Sequence, residues 1–129
     1  TKIDYLTEKL KLHKIINKIT GELSSGQKNK VSLAKSIIND PLVLLLDEPT
    51  ASLDPETGDF IRSFLEDYQS QNKTSILLAS HNMNEVERLC SKVMMMKNGE
   101  IIDSGTCNEL VKKHGRLNLE ETFLKLVRE

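Results

Sequence analysis

The sequence predicts an α/β fold: a parallel sheet with flanking helices, followed by a C-terminal hairpin and further helices. Three observations carry this. Leu42–Leu46 and Thr74–Ala79 are short, largely apolar runs, the pattern of strands buried on both faces of a parallel sheet. The segment between them has helical periodicity, and the order strand, helix, strand implies a right-handed crossover. Helix-start signals recur along the chain, each a Ser, Thr or Asp ahead of an apolar stripe.

Residues 3–16 set Ile3, Leu6, Leu10, Ile15 and Ile16 among charges, an amphipathic helix with a break near Lys11 to His13. Ser24 with Gln27 three residues on is a capping-box pattern, so a helix is expected from Ser25, with Val31, Ala34, Ile37 and Ile38 inward. Asp40-Pro41 should stop it, because proline lacks an N–H and disfavours helix at the residue before it. Asp47-Glu48-Pro49 closes the first strand. Asp54 as N-cap and Pro55 at the first helical position start the next helix, whose stripe is Ile61, Phe64, Leu65 and Tyr68. A short helix over 83–90 follows Ser80-His81. Asn98-Gly99 between Lys92–Lys97 and Glu100–Asp103 signals a two-residue hairpin. Thr106 with Glu109 is another capping box, and Gly115 ends that helix. Residues 119–128 form the last amphipathic helix.

Composition sets limits. The 129 residues carry 18 Lys plus Arg against 19 Asp plus Glu, a net charge of −1. That balance gives no electrostatic reason to expect nucleic acid or an anionic membrane as the main partner. Aromatics are 4% and Trp is absent, so the core must be aliphatic. The longest apolar runs fall far short of the roughly 20 residues that cross a bilayer, and Thr1-Lys2-Ile3-Asp4 lacks the apolar region of a secretory signal. Cys90 and Cys107 are not in metal-like spacing and read as free thiols in a reducing compartment.

Chemistry gathers at three places. Asp47 and Glu48 stand at the carboxyl end of an apolar strand, where ligands of open parallel sheets bind. One carboxylate can hold Mg²⁺ through its water shell, and the other can deprotonate a water for attack on a phosphoryl group; the alternative is a strand that simply ends in solvent. Leu23-Ser24-Ser25-Gly26-Gln27 opens a helix whose unpaired N–H groups and dipole suit a phosphate, although an ordinary capped helix looks the same. His81 lies just past the second strand and could reach the crevice beside Glu48, although a lone histidine is as readily structural.

In that order and spacing, Leu23 to Gln27, Leu42 to Glu48 with Pro49-Thr50, Ala51-Ser52-Leu53-Asp54 and Ser80-His81 resemble the ATP-binding-cassette ATPase family. The hairpin at Lys97 to Ile101 and the Ser104-Gly105-Thr106 step resemble it too. Residues His81 to Glu87 and Leu119 to Phe123 are similar to the exporter branch. The resemblance implies a P-loop NTPase-like core, MgATP as nucleotide and Mg²⁺ as cofactor, a second nucleotide-binding domain and a membrane permease as partners, no nucleic acid, and a cytoplasmic location on the inner face of the membrane. It implies roles by position. Leu23, Ser24, Ser25, Gly26 and Gln27 would be the signature motif, meeting the γ-phosphate of ATP held by the opposite subunit. Asp47 would support Mg²⁺ and Glu48 would be the catalytic base. Ser52 to Asp54 would be the D-loop at the dimer interface, and His81 the switch histidine. Ser25 replaces a usual glycine, which is expected to change rate more than function. Cys107 stands where proline is common.

No stretch fits G-x-x-x-x-G-K-[ST], the loop that cradles phosphates. The resemblance therefore implies the C-terminal part of a nucleotide-binding domain with the Walker A half absent. Residues 1–40 would be the end of its helical subdomain, 41–105 the second half of the ATPase core and 106–129 the C-terminal helices. The sheet is expected to gap, collapse or recruit a partner, and the chain alone to be inactive. Two alternatives stand beside the transporter ATPase: a soluble cassette ATPase of the translation-factor or DNA-repair type, and a non-catalytic interaction module.

Overall fold

The computed structural model describes residues 1–129, which pack as two units, Thr1–Ala79 and Ser80–Glu129. The boundary falls inside the expected 41–105 stretch.

In the first unit, helix α1 (Lys2–Lys9) opens with a capping box between Thr1 and Asp4. It stops at the break expected near Lys11, and no α-helix resumes before residue 16. Lys11 takes φ 55°, a left-handed conformation that no helix continues through. Leu10, Leu12 and Ile15 are nonetheless buried, so their spacing serves a folded turn. Helix α2 (Ser25–Ile37) has the expected cap: the Ser24 N–H donates to Gln27 Oε1 at 3.0 Å and the Gln27 N–H to Ser24 Oγ at 3.2 Å. Strand β1 (Val43–Asp47), helix α3 (Pro55–Gln71) and strand β2 (Ser75–Ala79) follow. The strands pair in parallel from Val43 opposite Ser75 to Asp47 opposite Ala79.

One expectation fails here. The strands are covered on one face only. Leu44 is buried with Leu6 of α1, Ile37 of α2 and Tyr68 of α3, and Leu46, Phe64 and Ile76 pack on that cluster. The opposite face carries Val43, Leu45 and Leu77, which are 60%, 69% and 57% exposed. All three helices contribute their stripes to the Leu44 side, so the apolar residues at alternate positions have no layer to meet. Each forgoes about 1.5–3 kcal/mol of burial.

In the second unit, α4 (Met83–Leu89), β3 (Val93–Lys97), β4 (Glu100–Gly105), α5 (Cys107–His114) and α6 (Leu119–Arg128) enclose Val86, Met95, Leu110, Leu119 and Leu126. The antiparallel β3–β4 hairpin turns through Asn98 (φ 52°) and Gly99 (φ 78°), the paired positive φ values that select Asn-Gly. Gly115 (φ 61°) supplies the left-handed stop of α5. The Glu87 carboxylate of α4 accepts the Leu119 N–H at 2.8 Å and ties down the start of α6. The strands thus form two two-stranded sheets, one in each unit.

Candidate functional site

Strand β1 delivers Asp47 exposed at its tip, with Glu48 half-buried after it. The ladder runs one bond past the strand, from the Glu48 N–H to Ala79 O at 2.8 Å. Glu48 itself takes φ 46°. A left-handed non-glycine residue costs about 1–2 kcal/mol, and the following loop is fastened on several sides. The Ala51 N–H donates to Glu48 O at 3.2 Å and the Leu53 N–H to Thr50 O at 3.3 Å. Asn29 of α2 donates to Pro49 O at 2.9 Å, and Arg62 of α3 to Thr50 Oγ1 at 3.1 Å. Asp54 caps α3, accepting the Thr57 N–H at 3.0 Å. Hydrogen bonds from the Thr57 side chain and then its backbone hold the Asp54 carboxyl below its ordinary range.

The starts of α2 and α3 meet at one pocket of about 500 Å³. Ser24, Ser25, Gly26 and Gln27 line it from α2, and Ser52, Leu53, Asp54 and Thr57 from the α3 side. Gly26 permits the meeting: a Cβ there would lie 3.1 Å from Thr57 Cγ2. Lys30 also lines the pocket, its ammonium 4.4 Å from the centre of the Phe60 ring, with the Lys11 ammonium 4.9 Å from the same centre. The start of α2 and Lys30 favour an anion here, while the start of α3 is already capped by the Asp54 carboxylate in the same lining.

The structure therefore brings together Ser24 to Gln27 and Asp54. Leu23 is half-buried, outside the pocket lining, and its N–H closes a one-turn 3₁₀ helix onto Thr20 O. Asp47 and Glu48 also lie outside that lining. His81 belongs to the second unit, where it lines a pocket of about 450 Å³ with Asn82, Met83 and Asn84 and with Glu120, Phe123 and Leu124 of α6. Asn82 caps α4 through the Glu85 N–H at 3.2 Å.

No group of three or more His, Cys, Asp or Glu forms a metal cage. Mg²⁺ takes one or two carboxylates and fills its shell with water and phosphate oxygens, and Asp47 is a single exposed carboxylate at a strand tip. Sequence reasoning missed Asn29, Lys30, Thr50, Thr57 and Arg62. Their roles depend on the α2–loop–α3 packing, and only the position of Lys30, one turn past Gly26 on α2, offered a local signal.

Comparison with known proteins follows the same lines. The model of the family described as ABC transporter matches residues 1–51. The ABC transporter ATP-binding protein NatA of Bacillus subtilis (strain 168) is 35% identical over 128 residues, covering 98% of this chain and 52% of that protein. The methionine import ATP-binding protein MetN of Streptomyces griseus is 41% identical over 103 residues, covering 80% of this chain and 29% of that protein. The solved structure of MJ1267, an ATP-binding cassette of an ABC transporter, superposes with a TM-score of 0.75 at 26% identity, covering 88% of this chain and 44% of that one. The chain spans about half the length of the first relative and less of the second. In its ordered motifs, its relatives and its fold, the chain matches the ATP-binding-cassette transporter family.

Proposed function

We propose that this chain is part of the ATP-binding, ATP-hydrolysing subunit of an ABC transporter, and that it presents its signature turn to ATP held by a second nucleotide-binding domain. One observation carries the reading: Ser24 to Gln27 and the Ser52–Asp54 loop line a single pocket where two helices begin. Ser24 and the first N–H groups of α2 would receive the γ-phosphate. Ser52 to Asp54 would lie at the dimer interface. Asp47 would hold Mg²⁺ through its water shell, and the bound ion would neutralise phosphate charge. Glu48, fixed by its left-handed backbone and the Ala79 bond, would accept the proton of the attacking water. His81 would sense the γ-phosphate. A permease subunit would supply the membrane passage; no helix of this chain is long and apolar enough to cross a membrane. The subunit would then sit on the inner face of that membrane. The family resemblance favours the exporter branch through residues 81–87 and 119–123, while one relative's name refers to import.

The test is Glu48→Gln in the complete subunit. Turnover should fall by about 10²–10⁴-fold, the range for a positioned general base, with MgATP binding retained. Unchanged turnover would remove Glu48 from the chemistry.

A further inference from the structure

Glu48 holds a conformation that its own sequence resists. Its φ of 46° is left-handed, which is unfavourable for any residue with a Cβ. The next residue is Pro49, and a proline drives the residue before it to the extended region. Without outside restraint Glu48 would relax to extended backbone, and its carboxylate would swing away from its present place.

The restraints are specific. The Glu48 N–H is tied to Ala79 O, and the Glu48 carbonyl accepts the Ala51 N–H at 3.2 Å. That second bond closes a turn with Pro49 and Thr50 at its centre, and each central residue is held by a side chain from a different helix. Proline has no N–H, so the carbonyl is the sole backbone handle on Pro49. Asn29 of α2 takes it, Nδ2 donating to Pro49 O at 2.9 Å in a half-buried position. Arg62 of α3 donates to Oγ1 of Thr50, which is buried. The linkage from Asn29 to Glu48 is short and stiff. The peptide is planar and the proline ring fixes the Pro49 φ, so only the ψ bonds of Glu48 and Pro49 lie between the held carbonyl and the Glu48 α-carbon.

We propose that Asn29 is a positioning residue for Glu48. By holding the Pro49 carbonyl it keeps the turn in its strained form, so α2, the helix that opens with Ser24 to Gln27, also sets the direction of the Glu48 carboxylate. This role rests on Glu48 being the general base.

The test follows steady-state ATP turnover of the complete subunit. Asn29→Asp keeps the size of the side chain, removes the donor and sets a carboxylate oxygen against the Pro49 carbonyl. Its kcat should fall about three- to tenfold, the effect of one hydrogen bond, with the KM for MgATP unchanged. Asn29→Gln keeps an amide donor and should lie nearer the parent than Asn29→Asp; the reverse order would overturn the proposal. Asn29→Asp combined with Glu48→Gln should be no slower than Glu48→Gln alone, because the carboxylate that Asn29 positions is then already gone. Losses that multiply in the double variant would overturn the proposal, since damage to folding or to another part of the site would act independently of Glu48. A raised KM with kcat kept would overturn it by making Asn29 a binding residue. A parent-like kcat in Asn29→Asp beside a crippled Glu48→Gln would remove Asn29 alone. Normal turnover by Glu48→Gln would remove the general base, and the role of Asn29 with it.

Discussion

Ser24 is the residue at which structure and proposed chemistry are most closely joined. Its hydroxyl caps α2 and its N–H takes the Gln27 side chain, so removing the hydroxyl costs helix stability whatever else it does. Ser24→Ala should lower stability by about 1 kcal/mol, the usual cost of losing an N-cap. Ser24→Asp separates the two roles. Aspartate caps as well as serine and favours the positive helix end, so urea denaturation should give a stability close to the parent's. Its negative charge would repel a γ-phosphate, so ATP-driven dimerisation of the complete subunit should be lost. A Ser24→Asp subunit that still dimerises with ATP would leave Ser24 only its capping role. This cap was legible in the sequence because its information spans four residues. The left-handed backbone of Glu48 was not, because a non-glycine adopts it only when the surroundings impose it. Here the bonds from Asn29 and Arg62 fix the loop, and those partners are 20 and 12 residues away from their acceptors.

At the scale of elements, the join between β4 and α5 depends on one carboxylate. Asp103 accepts from Lys113 at 3.0 Å, contacts His114 Nε2 at 2.6 Å and takes the Ser104 N–H at 2.8 Å. His114 first, then Lys113, lower its pKa to about 2. The folded value lies below the ordinary one near 4, so the native state binds the proton less readily than the unfolded chain. The stabilisation is therefore complete above about pH 4 and is lost as pH falls through about 2. Asp103→Asn should be less stable than the parent at neutral pH, with the gap closing on acidification, in chemical denaturation followed from pH 7 to pH 2. A gap independent of pH would mean that the carboxylate's charge does not hold the join. The elements themselves were readable wherever a local signal existed: Asn98-Gly99 for the hairpin, Thr106 with Glu109 for α5, Asp54-Pro55 for α3. The first helix ends at the break expected near Lys11, and only the stretch beyond it was misread, because Leu12 and Ile15 are buried without being helical. Apolar spacing records burial, and a compact turn can satisfy it.

For the molecule as a whole, the sequence told which residues are apolar but not which layer meets them. The Leu42–Leu46 run reads as doubly buried, and this chain covers it once. An α/β half with bare faces should be marginal alone. The isolated chain is expected to self-associate, bind a hydrophobic dye and melt broadly, and calorimetry should show little MgATP binding, since no phosphate loop is present in its sequence. A sharp melt by a monomer with stoichiometric ATP binding would contradict this. The cysteines give a further means of watching the molecule. Cys90 and Cys107 both pack on the core of residues 80–129, and desolvation raises the pKa of both thiols above the ordinary value. With no other sulfhydryl in the chain, an alkylating reagent would tick as a clock for the opening of the hairpin-bearing half alone and stay blind to the half that carries the signature turn.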